Sequence, residues 1–417
     1  MKVFQISTSD ISGGAARAAY RLHKSLRTLG VDTNMFVQEK LGDDHDIFGP
    51  KGKVEKGLNN IRPTLDLLPL YLVGKADKPI SSAWLPDRLR KRLSAINGDV
   101  IHLHWINKGF IQVDFIRKLS IPVIWTLHDM WPLTGGCHYD LDCGRYIDQC
   151  GMCPQLGSSK EFDISRWIWW RKAYAWRNVD LTIVCPSRWM ADCAAKSSLF
   201  AKRRIKVIAN GVDLTRFRPI NREKAREWLG LPRNKKLVLF SAVKGVNNPY
   251  KGFKYIEPIL EHLSNMGWKE QIELVVMGSS QQEDSQGLSL PSHYLGHLHD
   301  EISLAMVYGA VDLLLAPSIQ DNLPITIMEA IACGTPCIAF KVGGMSDLID
   351  HQGNGYLVKK FDVQEFSYGI DWILRNEERY TLLAQMARVK AVRDFNLIDQ
   401  AKQYIRLYKE VIEIPNP

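Results

Sequence analysis

The sequence predicts an α/β protein made of two doubly wound, Rossmann-like parallel-sheet domains. Three observations predict it. Strand-like and helix-like segments alternate, and the rhythm runs twice, with a join near Asn210-Gly211-Val212-Asp213. The strand-like runs are short, β-branched and apolar on both sides, the pattern of buried parallel strands. The length of 417 residues suits two domains, at roughly 100–200 residues each.

The elements follow in order. Lys2 to Ser7 reads as a strand, Ser9 to Gly14 as a Ser/Gly loop, and Ala15 to Leu29 as an amphipathic helix. Val31 to Val37, Val100 to Leu103, Pro122 to Leu127, Leu181 to Cys185 and Ile205 to Ile208 are further strands, with Arg188 to Lys196 among the intervening helices. Asp43 to Pro79, rich in Gly, Asp and Lys, is expected to be a long excursion or lid. In the second half, strands are expected at Leu237 to Ser241, Ile272 to Met277, Leu313 to Ala316 and Pro336 to Phe340. Helices are expected at Phe253 to Met266, Glu301 to Tyr308, Ile325 to Cys333 and Val363 to Asn376, with Glu377 to Ile412 helical throughout. In doubly wound sheets ligands bind beyond the carboxyl ends of the strands, so both halves are expected to point those ends into one cleft.

Composition narrows the class. With 46% hydrophobic and 24% charged residues, wholesale disorder is excluded. No apolar run approaches the ~18 residues of a spanning helix; the longest, Leu65 to Val73, is broken by Asp66 and Pro69. The run Val3 to Ile6 is too short for a signal-peptide core. A soluble cytoplasmic protein is expected. The net charge of +9 is uneven: Lys160 to Lys236 holds 19 Lys/Arg against 7 Asp/Glu. Such a block suits an anionic partner (nucleic acid, acidic lipid or phosphate) or a plain solvated face.

Four motifs carry chemistry. Ser12-Gly13-Gly14-Ala15 follows the first strand and opens a helix. Missing Cβ atoms let a phosphate reach the backbone, and the helix N-terminus adds N–H donors; the alternative is a tight turn packing helix on sheet. It is not GxGxxG, and no acidic ribose ligand stands in the expected frame, which disfavours a nicotinamide site. Asp321-Asn322-Leu323-Pro324 leads from the strand Leu313 to Ala316 into a helix that carries Glu329. Free N–H groups at that helix mouth can hold a diphosphate, and Glu329 a ribose diol; the alternative is an N-cap and a surface glutamate.

Cys137, Cys143, Cys150 and Cys153 lie within 17 residues. Four thiolates suit a tetrahedral structural zinc, with His138 as a spare ligand; redox or free thiols and an iron–sulfur cluster are the alternatives. Cys185, Cys193, Cys333 and Cys337 sit in apolar segments and read as core thiols. Ile164 to Arg177 interleaves Trp167, Trp169, Trp170, Tyr174 and Trp176 with Arg166, Arg171, Lys172 and Arg177. That suits an anionic membrane interface or single-stranded nucleic acid; the alternative is a helix whose Trp residues plug the core. His102 and His104 flank Leu103 at a strand end and read as core or cleft-wall residues, His104 also as a candidate acceptor contact.

These pieces resemble, in order and place, the family 4 retaining nucleotide-sugar glycosyltransferases. The resemblance rests on Gly13-Gly14, His128-Asp129, Cys185-Pro186-Ser187-Arg188-Trp189, Asn210-Gly211-Val212-Asp213 with Phe217 and Pro219, and Lys251-Gly252. It rests further on Asp321 and Glu329 followed by Ala330-Ile331-Ala332-Cys333-Gly334-Thr335-Pro336, and on Gly343-Gly344. A cysteine loop of this kind occurs in one subset of these transferases.

The resemblance implies a GT-B fold, with residues 1–209 as an acceptor-side domain, 210–395 as a nucleotide-sugar-binding domain, and a helix over 396–417 returning to the first. It implies that Glu329 holds the donor ribose, and that Asp321 contacts hydroxyls of the transferred sugar with Asn322 and Leu323 offering N–H groups nearby. His128 would touch a sugar hydroxyl, and Lys251, helped by Gly13 and Gly14, would neutralise the leaving diphosphate. Two positions depart from the pattern. Position 321 is Asp where the family usually has Glu, and the family's Arg five residues before Lys251 falls on Val246, leaving Lys244 as the nearest cation.

The expected reaction is metal-independent front-face transfer from a nucleoside-diphosphate sugar to a saccharide or lipid-linked saccharide in surface-polysaccharide synthesis, with the enzyme peripheral on the inner membrane face. Asp140-Leu141-Asp142 has the spacing of a metal motif but lies inside the cysteine loop. A zinc-loop nucleic-acid-binding protein and a sugar-nucleotide epimerase of the same fold are the alternatives.

Overall fold

Val3–Ile6, Val123–Trp125 and Leu237–Phe240 leave no face to water, so each becomes a central strand covered on both sides. The computed structural model describes residues 1–74, 79–87, 89, 98–241, 248–279, 288–298 and 300–413. The chain divides into two compact units, Met1–Ala209 with Ile398–Pro417, and Asn210–Leu397.

The first unit begins β1 (Lys2–Ser9), α1 (Gly14–Thr28), β2 (Asp32–Glu39) and β3 (Ile47–Phe48). It continues through α2 (Lys53–Asp66), α3 (Leu68–Tyr71), β4 (Val100–Leu103), β5 (Val123–Thr126), α4 (Ile164–Trp176), β6 (Leu181–Cys185), α5 (Arg188–Lys196) and β7 (Arg204–Val207). Its strands are all parallel in the order β3-β2-β1-β4-β5-β6-β7. The winding therefore reverses once, between β1 and β4. Ser187 in the Pro-Ser-x-Trp element is an N-cap: its Oγ accepts the Met190 N–H at 3.1 Å and starts α5.

The second unit runs α6 (Arg222–Leu229), β8 (Lys236–Ser241), α7 (Ile256–Leu263), β9 (Ile272–Met277), β10 (Ser292–Tyr294), α8 (Glu301–Ala310) and β11 (Leu313–Ala316). Then come α9 (Ile325–Ala332), β12 (Cys337–Phe340), α10 (Met345–Leu348), β13 (Gly355–Val358), α11 (Val363–Leu374) and α12 (Glu377–Asp394). The parallel order is β10-β9-β8-β11-β12-β13, with the reversal between β8 and β11.

The last helix, α13 (Leu397–Glu413), packs on the first unit. Ala401, Tyr404, Leu407 and Tyr408 bury themselves against Val3, Leu22, Val100, Ile124 and Val184. Tyr408 OH pairs with His102 Nδ1 at 2.7 Å, and Tyr404 OH with Thr126 Oγ1 at 2.8 Å.

Three expectations need correction. Asp43 to Pro79, expected as an irregular excursion or lid, carries two helices, α2 and α3, over about half its length, with Pro63 inside α2. The tail is not one helix. Phe395 is buried, and Asn396 forms an isolated parallel bridge with Val212, so the helix breaks there before α13 begins. The short strands β3, β10 and β13 were not expected; each stands at the edge of its sheet, paired on one side only.

Candidate functional site

In the second unit, loops from the carboxyl ends of adjacent strands β8, β11 and β12 meet at the point where the winding reverses. That is the position where open α/β sheets bind ligands. The loop after β8 ends in a single turn, Pro249–Lys251, closed by Asn248 Oδ1 accepting the Tyr250 N–H at 3.1 Å. Ile319 N–H donates to Tyr250 O at 2.8 Å and ties this loop to the one after β11. Gly252 lies so near that loop, at φ +76°, that a Cβ would fall 1.8 Å from Pro317 O. Lys251 Nζ thereby reaches Asp321 Oδ2 at 2.6 Å. The loop after β12 closes from the other side. A Cβ on Gly343, at φ +52°, would fall 1.8 Å from Asp321 O, which accepts the Gly344 N–H at 3.1 Å. Only glycine permits either approach.

Asp321 is therefore a partner of Lys251 and not the N-cap of α9; Pro324 holds that place. Asn322 and Leu323 are buried between them. Glu329 is not on the helix surface: it is 1% exposed, and its Oε2 accepts from Tyr308 OH on α8 at 3.0 Å. Lys244 and Val246 lie outside the described residues.

In the first unit, the loops after β1, β4 and β5 lie around the other reversal. Gly13 caps α1 at φ +90° with open space where a Cβ would be, and Gly14 is the first helical residue. Asp10, fully buried, was missed by sequence reasoning. Its carboxylate accepts N–H groups from Ile11 (2.9 Å), Leu41 (3.0 Å) and Gly42 (2.8 Å), and so frames the glycine loop. Its signal was an Asp directly after a strand, an Asx-turn residue.

His128 Nε2 pairs with His104 Nδ1 at 3.1 Å, and His104 Nε2 with Gln5 Oε1 at 3.2 Å. Burial pushes His128 down to about 4 and His102 down to about 3, and holds His104 well below the usual range. The three imidazoles are neutral at physiological pH and act through hydrogen bonds, not charge. Asp129 accepts from Trp105 Nε1 at 2.5 Å and Trp131 N–H at 2.9 Å, and pairs with His138 Nδ1 at 2.6 Å. Burial alone would raise that carboxyl, but His138 and the donors outweigh it and hold it low.

The cysteine loop sits beside this cluster. His138 is engaged at both ring nitrogens, by Asp129 and by Ser81 Oγ at 3.0 Å, so it is not a spare ligand. Burial raises all four thiols, Cys150 to about 12, and Cys137 is raised further by Cys150, Cys143 and Cys153 close by. Gly135 N–H donates to Cys150 Sγ at 3.1 Å, a contact that suits a metal thiolate. The donor chemistry fits zinc. The thiols share one neighbourhood without converging on one point: among the described residues no three His, Cys, Asp or Glu are placed to hold a metal ion. Lys172 of α4 is buried under the loop, its Nζ donating to Trp131 O and to Thr134 O at 3.0 Å. Burial lowers its ammonium to about 7.

Two parallel doubly wound units, each with ligand-competent loops at its winding reversal, define the GT-B class of fold. The HepE protein of Anabaena, solved in complex with UDP, superposes with a TM-score of 0.65 at 18% identity, covering 98% of this chain and 100% of that one. The family is shown by sequence. Residues 12–216 match the model "Glycosyltransferase Family 4" and residues 221–390 match "Glycosyl transferases group 1". The chain belongs to these glycosyltransferases. A D-inositol 3-phosphate glycosyltransferase of Mycobacterium marinum is 32% identical over 188 residues, 42% of this chain and 38% of that protein. WcaC of Escherichia coli, a glycosyl transferase provisionally assigned to colanic acid biosynthesis, is 27% identical over 266 residues, 61% of each chain. The matched region thus spans between 38% and 61% of these two relatives.

Proposed function

We propose that the protein is a retaining glycosyltransferase. It moves a sugar from a nucleoside-diphosphate donor to a saccharide or lipid-linked saccharide acceptor, in surface-polysaccharide synthesis at the inner face of the membrane. The observation that carries the reading is the Lys251–Asp321 pair at the winding reversal of the second sheet, with Glu329 buried on the helix that follows. HepE, bound to UDP, supports a nucleotide-sugar donor by its likeness of fold.

The residues divide the work. Glu329, held by Tyr308, takes the ribose diol. The diphosphate competes with Asp321 for Lys251, so donor binding releases the Asp321 carboxylate to accept from sugar hydroxyls. As the glycosidic bond breaks, negative charge grows on the diphosphate, and the Lys251 ammonium and the N–H groups near Asn322 and Leu323 stabilise it without a catalytic metal. Gly13 and Gly14 let the acceptor-side backbone approach closely. His128, neutral and held by His104, exchanges a hydrogen bond with a sugar hydroxyl. Cys137, Cys143, Cys150 and Cys153 would hold a structural zinc if the loop draws them together, and its charge would stabilise thiolates that burial otherwise disfavours.

A thermal-shift screen against UDP-, GDP- and ADP-sugars identifies the donor, since a ligand at 100 times its dissociation constant stabilises by about 2.7 kcal/mol. Incubation of that donor with oligosaccharide and lipid-linked acceptors should then yield a product that keeps the donor's anomeric configuration. An inverted product overturns the retaining mechanism. Conversion of the donor sugar with no acceptor consumed would establish the epimerase instead.

A further inference from the structure

Helix α2 is amphipathic the wrong way round. The side chains that fasten it to the protein are polar: Arg62 donates to Gly109 O and Pro86 O, each at 2.6 Å, and Asn59 to Gln38 O at 2.9 Å. Asp66 is buried against Ser82 Oγ at 3.2 Å. Its apolar side chains face water. Val54, Leu58, Ile61, Leu65, Leu68 and Leu72 repeat at alternating steps of four and three through α2 and α3, and all are exposed, Leu72 at 82%. A helix that turns a whole stripe of this kind outward has left it for something other than its own core.

A second stripe lies alongside. On α4, Trp169, Lys172 and Trp176 are buried, while Trp167, Trp170 and Tyr174 are exposed, Trp170 at 62%. The exposed rings carry cations: Arg171 stands over Trp167 and Arg177 over Tyr174, each at 4.6 Å, and Arg117 over Tyr174 at 5.5 Å. The two stripes meet. Leu68 and Leu72 from one, and Trp167 and Arg171 from the other, line a common groove of about 470 Å³ with Trp84.

We propose that α2–α3 and α4 together form a face that lies on a membrane containing anionic lipid. Aliphatic side chains enter the acyl boundary, Trp and Tyr sit at headgroup depth, and bases meet the phosphates. Charge selects this occupant. Lys53, Lys56, Arg117, Lys118 and Arg177 are exposed around the stripes. The α4 helix has no acidic residue, and the carboxylates of α2 and of the turn Val113–Lys118 are Glu55, Asp114 and the buried Asp66. The face stands on its own geometry and does not depend on the transferase reading.

The test is flotation of the full chain with vesicles of phosphatidylcholine and phosphatidylglycerol in equal amounts, beside vesicles of phosphatidylcholine alone. Binding is expected to the mixed vesicles and to fall steeply from low to moderate salt. Leu72→Glu and Trp170→Glu should each lower the partition coefficient about tenfold with an unchanged melting temperature, because both side chains are largely exposed. Arg177→Glu should weaken binding most at low salt. No vesicle binding, or binding untouched by Leu72→Glu and Trp170→Glu, overturns the proposal. So does a dimer in solution that those substitutions split while vesicle binding stays absent, which would make the face a contact between two copies.

Discussion

In the proposed reaction Lys251 and Glu329 do different jobs, and their variants should separate. Lys251 answers charge that appears only as the bond breaks, so Lys251→Ala should lower kcat about a hundredfold or more and change nucleotide affinity far less. Glu329 is buried and bonded to Tyr308 before any donor arrives. Glu329→Gln should raise the nucleotide Kd about tenfold, the loss of one charged hydrogen-bond acceptor. Calorimetry with the nucleotide and initial rates with the full donor measure the two. Wild-type turnover in either variant contradicts the assignment. The buried imidazoles make a second prediction. An ordinary histidine binds its proton near 6.5, His128 near 4 and His102 near 3. Between about 4 and 6.5 the unfolded chain holds protons that the native chain does not, so stability rises with pH across that window. It is lost on acidification from 6.5, at about 1.4 kcal/mol per pH unit for each group. Melting temperature should therefore fall between pH 7 and pH 5, and a level profile would refute the burial argument.

At the scale of elements, the cysteine loop and α4 are one assembly. Lys172, first read as part of a basic surface, donates into the loop backbone and lies over the Trp131 ring at 3.6 Å. A charge reversal there would break the fold and report nothing about a membrane, which is why the docking variants avoid it. If the loop holds zinc, protein purified without added metal should carry one zinc per chain. Cys150→Ser should lower the zinc content and the stability of the loop, while nucleotide binding in the second unit stays normal. Metal content near zero with four titratable thiols rejects the site. The same assembly shows what a short sequence window hides. All four exposed or buried Trp positions of α4 read alike in the sequence, and only the neighbours of each ring sort Trp169 and Trp176 inward and Trp167 and Trp170 outward.

For the whole molecule, the last helix decides whether the first unit is complete. Tyr404, Leu407 and Tyr408 cover Val3, Val100 and Ile124 in the middle of the first sheet. Each side chain of this size contributes about 1.5–3 kcal/mol on burial, and a domain's net stability is about 5–15 kcal/mol. A chain ending at Leu397 should lose the folding transition of the first unit and expose it to protease. The second unit, which keeps all its strands, should resist. Equal protection of both halves would mean that α13 is dispensable.

Local signals made the strand–helix alternation, the parallel sheets and the family legible, because buried parallel strands must be apolar on both faces and close glycine approaches leave no substitute. The sequence alone placed Gly13, Lys251, Asp321 and Glu329 in named motifs. It did not reveal α2, although the apolar steps from Val54 to Leu72 were present, because the Gly, Asp and Lys residues of the stretch read as an irregular excursion. Only the tertiary structure paired Lys251 with Asp321 across 70 residues, buried Glu329 beneath Tyr308, and set His104 behind His128. Those pairings depend on which loops the sheet order brings together at its reversal, and strand order is a long-range property that no run of neighbouring residues encodes.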